Sequence, residues 1–357
     1  MPLDTIDYLN SFLSKEYGLR GKITALAGEV DHNYKLTTTQ GEVFVMKVYG
    51  HEREEHFLDF QEKILLHLEM ESPHLIVPKI RATISGQTTS FFVEPNGKRR
   101  SVRLLSWIEG RVWNQVNPHS ELLRFELGLI CGKVSGALSN FKHDFAQRKF
   151  DWDIAEGLWT KEYLSLFQKK EKQLILNLLE EFDRAQPEYH KLRKGIVHND
   201  ANDFNCLVSK DIKNPEVIAL IDYGDAIYTQ VINDVAISCC YSIMDFEDPL
   251  EASLAVVKGY HQAFPIDEKA LAFLYLCIGI RLIISVTKSR INSVQEPDNS
   301  YLQISDKAAW DLFYKWEQID SEFAHYNFRG ACGLTPHPQY DAFSSWASNK
   351  KVSLKSL

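Results

Sequence analysis

The spacing of apolar residues along this 357-residue chain changes near Trp107 from the period of strands to the period of helices. Before that point, segments such as GKITAL and EVFVMKVY alternate between two faces, as strands do. One amphipathic helix, near residues 52–69, interrupts them. The residues up to about 105 therefore predict a small, mostly antiparallel sheet with one inserted helix.

Beyond Trp107 the apolar residues repeat with the spacing of helices. Helical patterns occupy four segments, residues 120–138, 155–186, 250–290 and 305–325. Between the second and the third lies one short pair of strand-like segments, GIVHNDANDFNCLVS and VIALIDYGDAI. A β-rich part followed by a helix-rich part predicts an α+β fold of two lobes. We place the lobes at residues 1–105 and 106–357, joined near Leu104 to Gly110.

Charge and composition exclude several classes of function. Lys and Arg total 40 against 48 Asp and Glu, a formal net charge of −8, so the chain lacks the basic footprint of a nucleic-acid-binding protein. The first residues, MPLDTIDYLN, carry acids where a secretory signal needs a basic start. The longest apolar run, LAFLYLCIGI, is shorter than the ~20 residues that span a bilayer. The six cysteines form no CxxC pair, which is typical of reduced thiols rather than of a disulfide framework or a zinc site. We therefore expect a cytoplasmic protein that binds neither nucleic acid nor membrane.

One segment is rich in polar side chains of the types that serve in catalysis and metal binding. It reads HNDANDFN and contains Asp200, Asp203 and Asn205, and the strand-like VIALID that follows ends on Asp222. Carboxylate and amide oxygens at the ends of two short strands are the ligands that magnesium prefers, together with phosphate. The same residue types also make ordinary Asx turns, so each of them alone leaves both interpretations open.

The combination of these residues is more specific than any one of them. The pattern His-x-Asp-x-x-x-x-Asn, followed 17 residues later by an Asp on a strand, resembles the catalytic and metal-binding segments of protein-kinase-like phosphotransferases. HND stands in place of HRD, and DYG stands in place of DFG, which points away from protein kinases. The segments HNDANDFN and IDYGD resemble instead the aminoglycoside phosphotransferase family and, within it, the hydroxylysine-kinase-like branch. The segments GEVDHNYKL, LLSWIEGRVW, NDVA and FRGACGL resemble the same group, so the similarity spans most of the chain.

The resemblance implies a protein-kinase-like fold with ATP and Mg²⁺ as nucleotide and metal. It implies that Asp200 is the catalytic base for the substrate hydroxyl, and that Asn205 and Asp222 hold Mg²⁺ against the ATP phosphates. Lys47 would pair with the phosphates and with Glu62 on the predicted helix. Phosphoryl transfer needs such a set, because its catalysis consists chiefly of positioning and charge neutralisation.

Three further residues would support the catalytic loop. His198 would prop the loop rather than react, and Asp234, in NDVA, would anchor it from the next helix by accepting backbone hydrogen bonds. Asp225 is either a second metal contact or a helix cap.

The nucleotide pocket is weakly indicated. The segment AGEVDHNYKL lies where a nucleotide loop is expected, but it has only Gly28 instead of GxGxxG. Asn33 and His32 would supplement it, and backbone groups around Ser106 and Trp107 would hold the adenine. A plain hairpin turn and a simple interlobe linker explain these segments almost as well.

Two charged residues are candidates for binding the acceptor substrate. Arg281 lies in the apolar run LCIGIRLIISV, and burying an unpaired guanidinium costs several kcal/mol. This predicts a structural ion pair, with the carboxylate of an amino-acid substrate as the alternative partner. Asp203 would similarly meet a substrate ammonium.

The leading hypothesis is a small-molecule kinase that phosphorylates a hydroxyl of an amino alcohol or hydroxy amino acid. Hydroxylysine comes first among acceptors, ahead of homoserine, choline, ethanolamine and aminoglycosides. No Ala-Pro-Glu segment follows IDYGD, which disfavours protein substrates. In the family such kinases also occur fused to a PLP-dependent enzyme, so a functional link to one is expected. The alternatives are a nucleotide-binding pseudokinase that regulates a partner enzyme, and a glycosidase with paired carboxylates.

Overall fold

The computed structural model describes residues 3–26, 31–49, 55–93, 97–295 and 306–349. The α-helices in these ranges are α1 Leu3–Tyr17, α2 Glu55–Glu71, α3 Glu121–Ala137, α4 Lys169–Tyr189, α5 Ile232–Ser242, α6 Pro249–Ala263, α7 Glu268–Gln295, α8 Asp306–Glu317, α9 Ser321–Ala331 and α10 Tyr340–Asn349. The strands are β1 Gly21–Leu26, β2 His32–Thr38, β3 Val43–Val48, β4 Ile80–Arg81, β5 Ser90–Val93, β6 Arg99–Ser106, β7 Arg111–Val112, β8 Lys194–Val197, β9 Cys206–Val208, β10 Val217–Leu220 and β11 Ile227–Gln230.

The first part of the chain forms one antiparallel sheet in the order β1-β2-β3-β6-β4, with β5 also paired to β6. Alternate residues of the strands, such as Leu36, Met46 and Val102, are buried on one face. The prediction of a mostly antiparallel sheet is confirmed. The predicted inserted helix is confirmed as α2, whereas the helix that precedes the sheet, α1, was not predicted. Its Leu9 and Leu13, one helical turn apart, lie in the same hydrophobic cluster as the buried face of the sheet.

The second part is mainly helical, and each of the longer predicted helical segments is divided in two. The segment predicted at 155–186 is a 3₁₀ helix, Ile154–Leu166, followed by α4. The division has a local cause, since Glu171 accepts the backbone N–H of Gln168 at 3.0 Å and so caps a new helix. Likewise, the side chain of Asp320 accepts the N–H of Phe323 at 2.8 Å and starts α9 after α8.

Two helices pack at unusually close range through glycines. A Cβ on Gly128 of α3 would meet the carbonyl oxygen of Val256 at 1.9 Å. A Cβ on Gly259 of α6 would meet the carbonyl oxygen of Phe125 at the same distance, 1.9 Å. The absence of side chains at both positions therefore lets the backbones of α3 and α6 pack in direct contact.

Two small antiparallel sheets position those loops. β9 pairs with β10 and with β7, and β8 pairs with β11. The loop between β8 and β9 carries HNDANDFN, and the loop between β10 and β11 carries DYGD. The N–H of Ile221 donates to the carbonyl of Asn205 at 2.9 Å, which joins the two loops. The two strand-like segments therefore contribute to two sheets rather than to one isolated pair.

No α-helix within the described ranges is both long enough and apolar enough to cross a membrane.

Candidate active site

The loop after β8 is held by a buried histidine. His198 lies with Nε2 at 3.1 Å from the carbonyl oxygen of Ile221, and its Nδ1 accepts the backbone N–H of Asp200 at 3.2 Å. Burial lowers the pKa of His198 to about 4, so the imidazole is neutral at pH 7. Because Nδ1 accepts, the proton is on Nε2, which donates to Ile221. The ring thus connects the two loops without a charge.

A second contact fixes the backbone just before Asp200. Asn199 adopts a left-handed conformation, with φ of 63°, which asparagine tolerates better than most residues. Its N–H donates to Oδ1 of Asp234 at 3.0 Å, and Ser135 Oγ donates to Oδ2 at 2.9 Å. Burial raises the pKa of Asp234 to about 6. Asp234, on α5, therefore makes a loop contact of the kind that the sequence suggests.

The carboxylate of Asp200 is enclosed by donors and only 19% exposed. Asn202 Nδ2 donates to its Oδ1 at 3.0 Å, and Asn205 Nδ2 donates to its Oδ2 at 2.6 Å. Arg281 Nη2 approaches Oδ1 at 3.4 Å. Burial first, and then the negative charge of Asp225, raises the pKa of Asp200 well above its ordinary value.

Asp222 and Lys47 meet across the gap between the large sheet and the DYGD loop. Lys47 Nζ donates to both carboxylate oxygens of Asp222, at 3.0 and 2.9 Å. Burial alone would raise the pKa of Asp222, but the charge and hydrogen bonds of Lys47 outweigh it and lower the pKa. Asp222 has φ of 60°, and it caps the short turn after it by accepting the N–H of Gly224 at 3.3 Å.

The predicted pair of Lys47 with Glu62 is wrong. Glu62 Oε2 accepts Thr88 Oγ1 at 2.6 Å and lies 3.3 Å from Arg103 Nη2. Arg103 stands directly opposite Lys47 in the β3–β6 register, so it takes the carboxylate that the lysine would need. Lys47 lies instead 3.6 Å from Asp31, in addition to Asp222. No sequence signal singled out Asp31 as this partner.

Asp225 lies beside the site but does not cap the turn, since Asp222 does. Burial, followed by the charge of Asp222, raises the pKa of Asp225 to about 6. Arg148, which sequence reasoning missed, donates to the carbonyls on either side of it, Ala226 at 2.8 Å and Gly224 at 3.3 Å. Nothing in the sequence around Arg148 resembles a motif.

Three further residues predicted to bind the nucleotide, Asn33, Ser106 and Trp107, lie on or directly after strands of the large sheet. Gly28 lies outside the described residues. Asn33 stands opposite Lys47 in the β2–β3 register. The N–H of Ser106 donates to the carbonyl of Lys79 at 2.8 Å, and the N–H of Trp107 donates to a carbonyl of β3 at 3.1 Å. Both backbone N–H groups are thus used within the protein, so backbone contacts of these two residues with adenine would come from their carbonyl oxygens.

The two residues predicted to meet the acceptor, Asp203 and Arg281, have different surroundings. The carbonyl of Asp203 accepts the N–H of Asn114 at 3.2 Å, and burial raises the pKa of its carboxyl. Arg281 is 1% exposed and forms the ion pair with Asp200. The ion pair considered for Arg281 is therefore present, and its partner is the residue expected to be the base.

The side-chain oxygen atoms at the site are ligands of the kind that Mg²⁺ prefers. Asn205 Nδ2 donates to the carbonyl oxygen of Asp200 at 3.0 Å and to its Oδ2 at 2.6 Å, which orients the amide and leaves the Oδ1 of Asn205 as a candidate ligand. Asp222 adds a carboxylate. Within the described ranges no three His, Cys, Asp or Glu side chains form a metal-binding group by themselves. Mg²⁺ bound with phosphate oxygens requires only one or two protein carboxylates.

Comparison with known proteins identifies a family and several relatives of this chain. The model of the phosphotransferase enzyme family matches residues 22–274. The chain is 24% identical to hydroxylysine kinase of Danio rerio, over 88% of this chain and 92% of that protein. It is 26% identical to hydroxylysine kinase of Xenopus laevis, over 64% of this chain and 65% of that protein.

Solved structures share the fold. An aminopropanol kinase associated with a microcompartment superimposes with a TM-score of 0.68 at 15% identity, over 92% of this chain and 98% of that one. An amicoumacin kinase in complex with AMP-PNP and Ca²⁺ superimposes with a TM-score of 0.64 at 18% identity, over 93% and 95% of the two chains. The prediction of a protein-kinase-like α+β fold is confirmed.

Proposed function

We propose that this chain, which belongs to the phosphotransferase enzyme family, transfers the γ-phosphoryl group of ATP to a hydroxyl of a hydroxy amino acid or amino alcohol, with hydroxylysine as the first acceptor. That it is a small-molecule kinase follows from the family and its kinase relatives. The amicoumacin kinase solved with AMP-PNP and Ca²⁺ supports the use of a nucleotide and a divalent metal. The observation that supports the finer proposal is a set of contacts among four residues: Lys47 bonds to Asp222, Asn205 bonds to Asp200, and the charge of Asp222 acts on Asp200. We assign residues 1–105 to the nucleotide and residues 106–357 to catalysis and the acceptor.

Asp200 acts as the base in this proposal. Its carboxylate is held by Asn202 and Asn205, so it presents a fixed oxygen to the acceptor hydroxyl. As the oxygen of the acceptor bonds to the γ-phosphorus and the bond to ADP breaks, the hydroxyl proton passes to Asp200. The positioned carboxylate contributes by orientation as well as by accepting the proton.

Lys47 and the two metal ligands serve the phosphates. Lys47 is held by Asp222 and Asp31, and in this proposal its ammonium binds phosphate oxygens. Asn205 and Asp222 would hold Mg²⁺. The ion, when bound, offsets charge on the phosphate oxygens.

The charges around the site favour a cationic acceptor. Asp225 lies next to Asp200 and Asp222, and Asp203 lies on the same loop as Asp200. An acceptor ammonium would be attracted by these carboxylates. Relatives named hydroxylysine kinase support that acceptor ahead of homoserine, choline, ethanolamine and aminoglycosides. The functional link to a PLP-dependent enzyme stays a prediction.

A coupled kinase assay with Mg-ATP and that acceptor panel tests the proposal. The purified chain is compared with Asp200→Asn and with Asp211→Asn, whose carboxylate lies on a fully exposed loop and only caps a turn. We expect turnover of hydroxylysine that Asp200→Asn abolishes and Asp211→Asn leaves intact. Nucleotide binding without turnover of any acceptor would favour the pseudokinase alternative. Turnover that survives Asp200→Asn would contradict the assigned base.

A further inference from the structure

One arginine on the apolar middle of α7 contacts the catalytic loop. Arg281 Nη1 donates to the carbonyl of Trp152 at 2.8 Å, and Nη2 lies 3.4 Å from Asp200 Oδ1. The guanidinium carbon is 4.7 Å from the ring centroid of Trp152 and 5.5 Å from that of Tyr241. A carbonyl, a carboxylate and two aromatic rings therefore hold the guanidinium in one place.

This placement is poorly suited to binding a substrate carboxylate. The side chain of Arg281 is only 1% exposed, and both of its terminal nitrogens already have partners. A substrate carboxylate would have to displace Asp200 or the carbonyl of Trp152 in the interior. The role of Arg281 must therefore be sought in what it does to Asp200.

The three carboxylates of the site each have a nearby cation. Lys47 is bonded to Asp222, and Arg148 donates to the carbonyls on both sides of Asp225. Arg281 is the cation in contact with Asp200. Charge pairs that lie away from water attract more strongly than exposed ones, so the guanidinium offsets the repulsion between these carboxylates.

We propose that Arg281 is the positioning residue of the catalytic base: its guanidinium, held by Trp152 and Tyr241, fixes the Asp200 carboxylate in the orientation that accepts the acceptor proton. This inference rests on the proposed function. It gives the contact between Arg281 and Asp200, which lie 81 residues apart in the chain, a role in the catalytic step rather than in acceptor binding.

A lysine at this position cannot replace the arginine. The guanidinium is a planar fork whose two terminal nitrogens reach Trp152 and Asp200 at once, while its carbon lies over the rings of Trp152 and Tyr241. An ammonium is a compact charge on a flexible stem, so it would retain the charge and lose the geometry. The distinction between charge and geometry makes the inference testable.

Steady-state kinetics of Arg281→Lys and Arg281→Met, with Mg-ATP and hydroxylysine, supply the test. Arg124→Lys is the matched control, because Arg124 is also buried, lies 4.1 Å over the ring of Phe246 and donates to a backbone carbonyl, that of His119, at 2.8 Å. We expect both Arg281 variants to lower kcat about 10²-fold, the typical cost of a misplaced catalytic group, with the KM for ATP unchanged. Arg124→Lys should leave kcat unchanged. Urea unfolding of each variant establishes that it is folded before kcat is compared.

The outcomes separate this inference from the proposed function. A wild-type chain that phosphorylates no member of the acceptor panel refutes the proposed function and this inference with it. A wild-type chain that turns over hydroxylysine, with folded Arg281 variants of wild-type kcat, refutes the inference alone. A rise in the KM for hydroxylysine with unchanged kcat also overturns it, since that result would assign Arg281 to acceptor binding.

Discussion

The buried imidazole of His198 predicts a specific loss of stability in acid. The pKa of His198 falls from 6.5 to about 4 on folding because burial penalises the charged ring. The unfolded chain therefore binds a proton at this residue between those pH values while the folded chain does not. The stability contributed by the neutral ring is complete above pH 6.5 and is lost as pH falls toward 4.

The size of the effect follows from the same shift. At pH 5.0 the linkage amounts to about 2 kcal/mol relative to pH 7.5, and at full titration to about 3 kcal/mol. The comparison variant is His198→Gln, whose amide can donate to the carbonyl of Ile221 but does not titrate. Asp234 and Asp225 have raised pKa values and so change stability with pH in the opposite sense. Because both proteins contain them, their effect cancels in the difference.

Urea unfolding followed by tryptophan fluorescence at pH 7.5 and 5.0 measures this difference. We expect His198→Gln to be less stable than the wild type at pH 7.5, because one or both loop bonds are weakened. Between the two pH values the wild type should lose about 2 kcal/mol more than the variant. Equal losses in the two proteins would refute the reasoning, since they would mean that His198 is not held neutral by burial.

Three further predictions follow from the packing and from the charge partners. Asp31→Asn should raise the KM for ATP, because Lys47 loses one of its two carboxylate partners. Glu62→Gln should leave that KM unchanged and lower only the urea midpoint of unfolding. ATP titration kinetics of both variants test this, and a change in the KM for ATP in the Glu62 variant alone would contradict it. Gly128→Ala should destabilise the folded protein by about 1–3 kcal/mol, because the new Cβ meets a carbonyl oxygen at 1.9 Å. Gly136→Ala, whose Cβ would lie 3.5 Å from the nearest side-chain atom, should not. Thermal unfolding compares the two variants, and equal melting temperatures would show that the contact at Gly128 relaxes freely. Asp234→Asn should lower kcat less than Asp234→Ala, because the amide oxygen can still accept the N–H of Asn199. Equal kcat values for the two variants would exclude the hydrogen bond between Asn199 and Asp234 from catalysis.

Local pattern was sufficient to predict much of the fold and the position of the candidate site. The two-residue period of EVFVMKVY predicts β3, and the spacing from Asp200 to Asn205 and Asp222 predicts which side chains lie at the ends of neighbouring strands. These features depend on contacts that are close in sequence, or on strands that pair directly, so the residues themselves carry the information.

The partners of the charged side chains were decided only by the tertiary structure. Lys47 meets Asp222 across 175 residues of chain, and Arg281 meets Asp200 across 81. Glu62 was a reasonable partner for Lys47 by analogy, but Arg103, brought opposite Lys47 by the strand register, takes its carboxylate. The sequence alone determined which charges this protein carries, and that Arg281 requires a partner. Which charge neutralises which depends on how the helices and sheets pack, because a buried ion pair forms wherever the fold brings opposite charges together away from water.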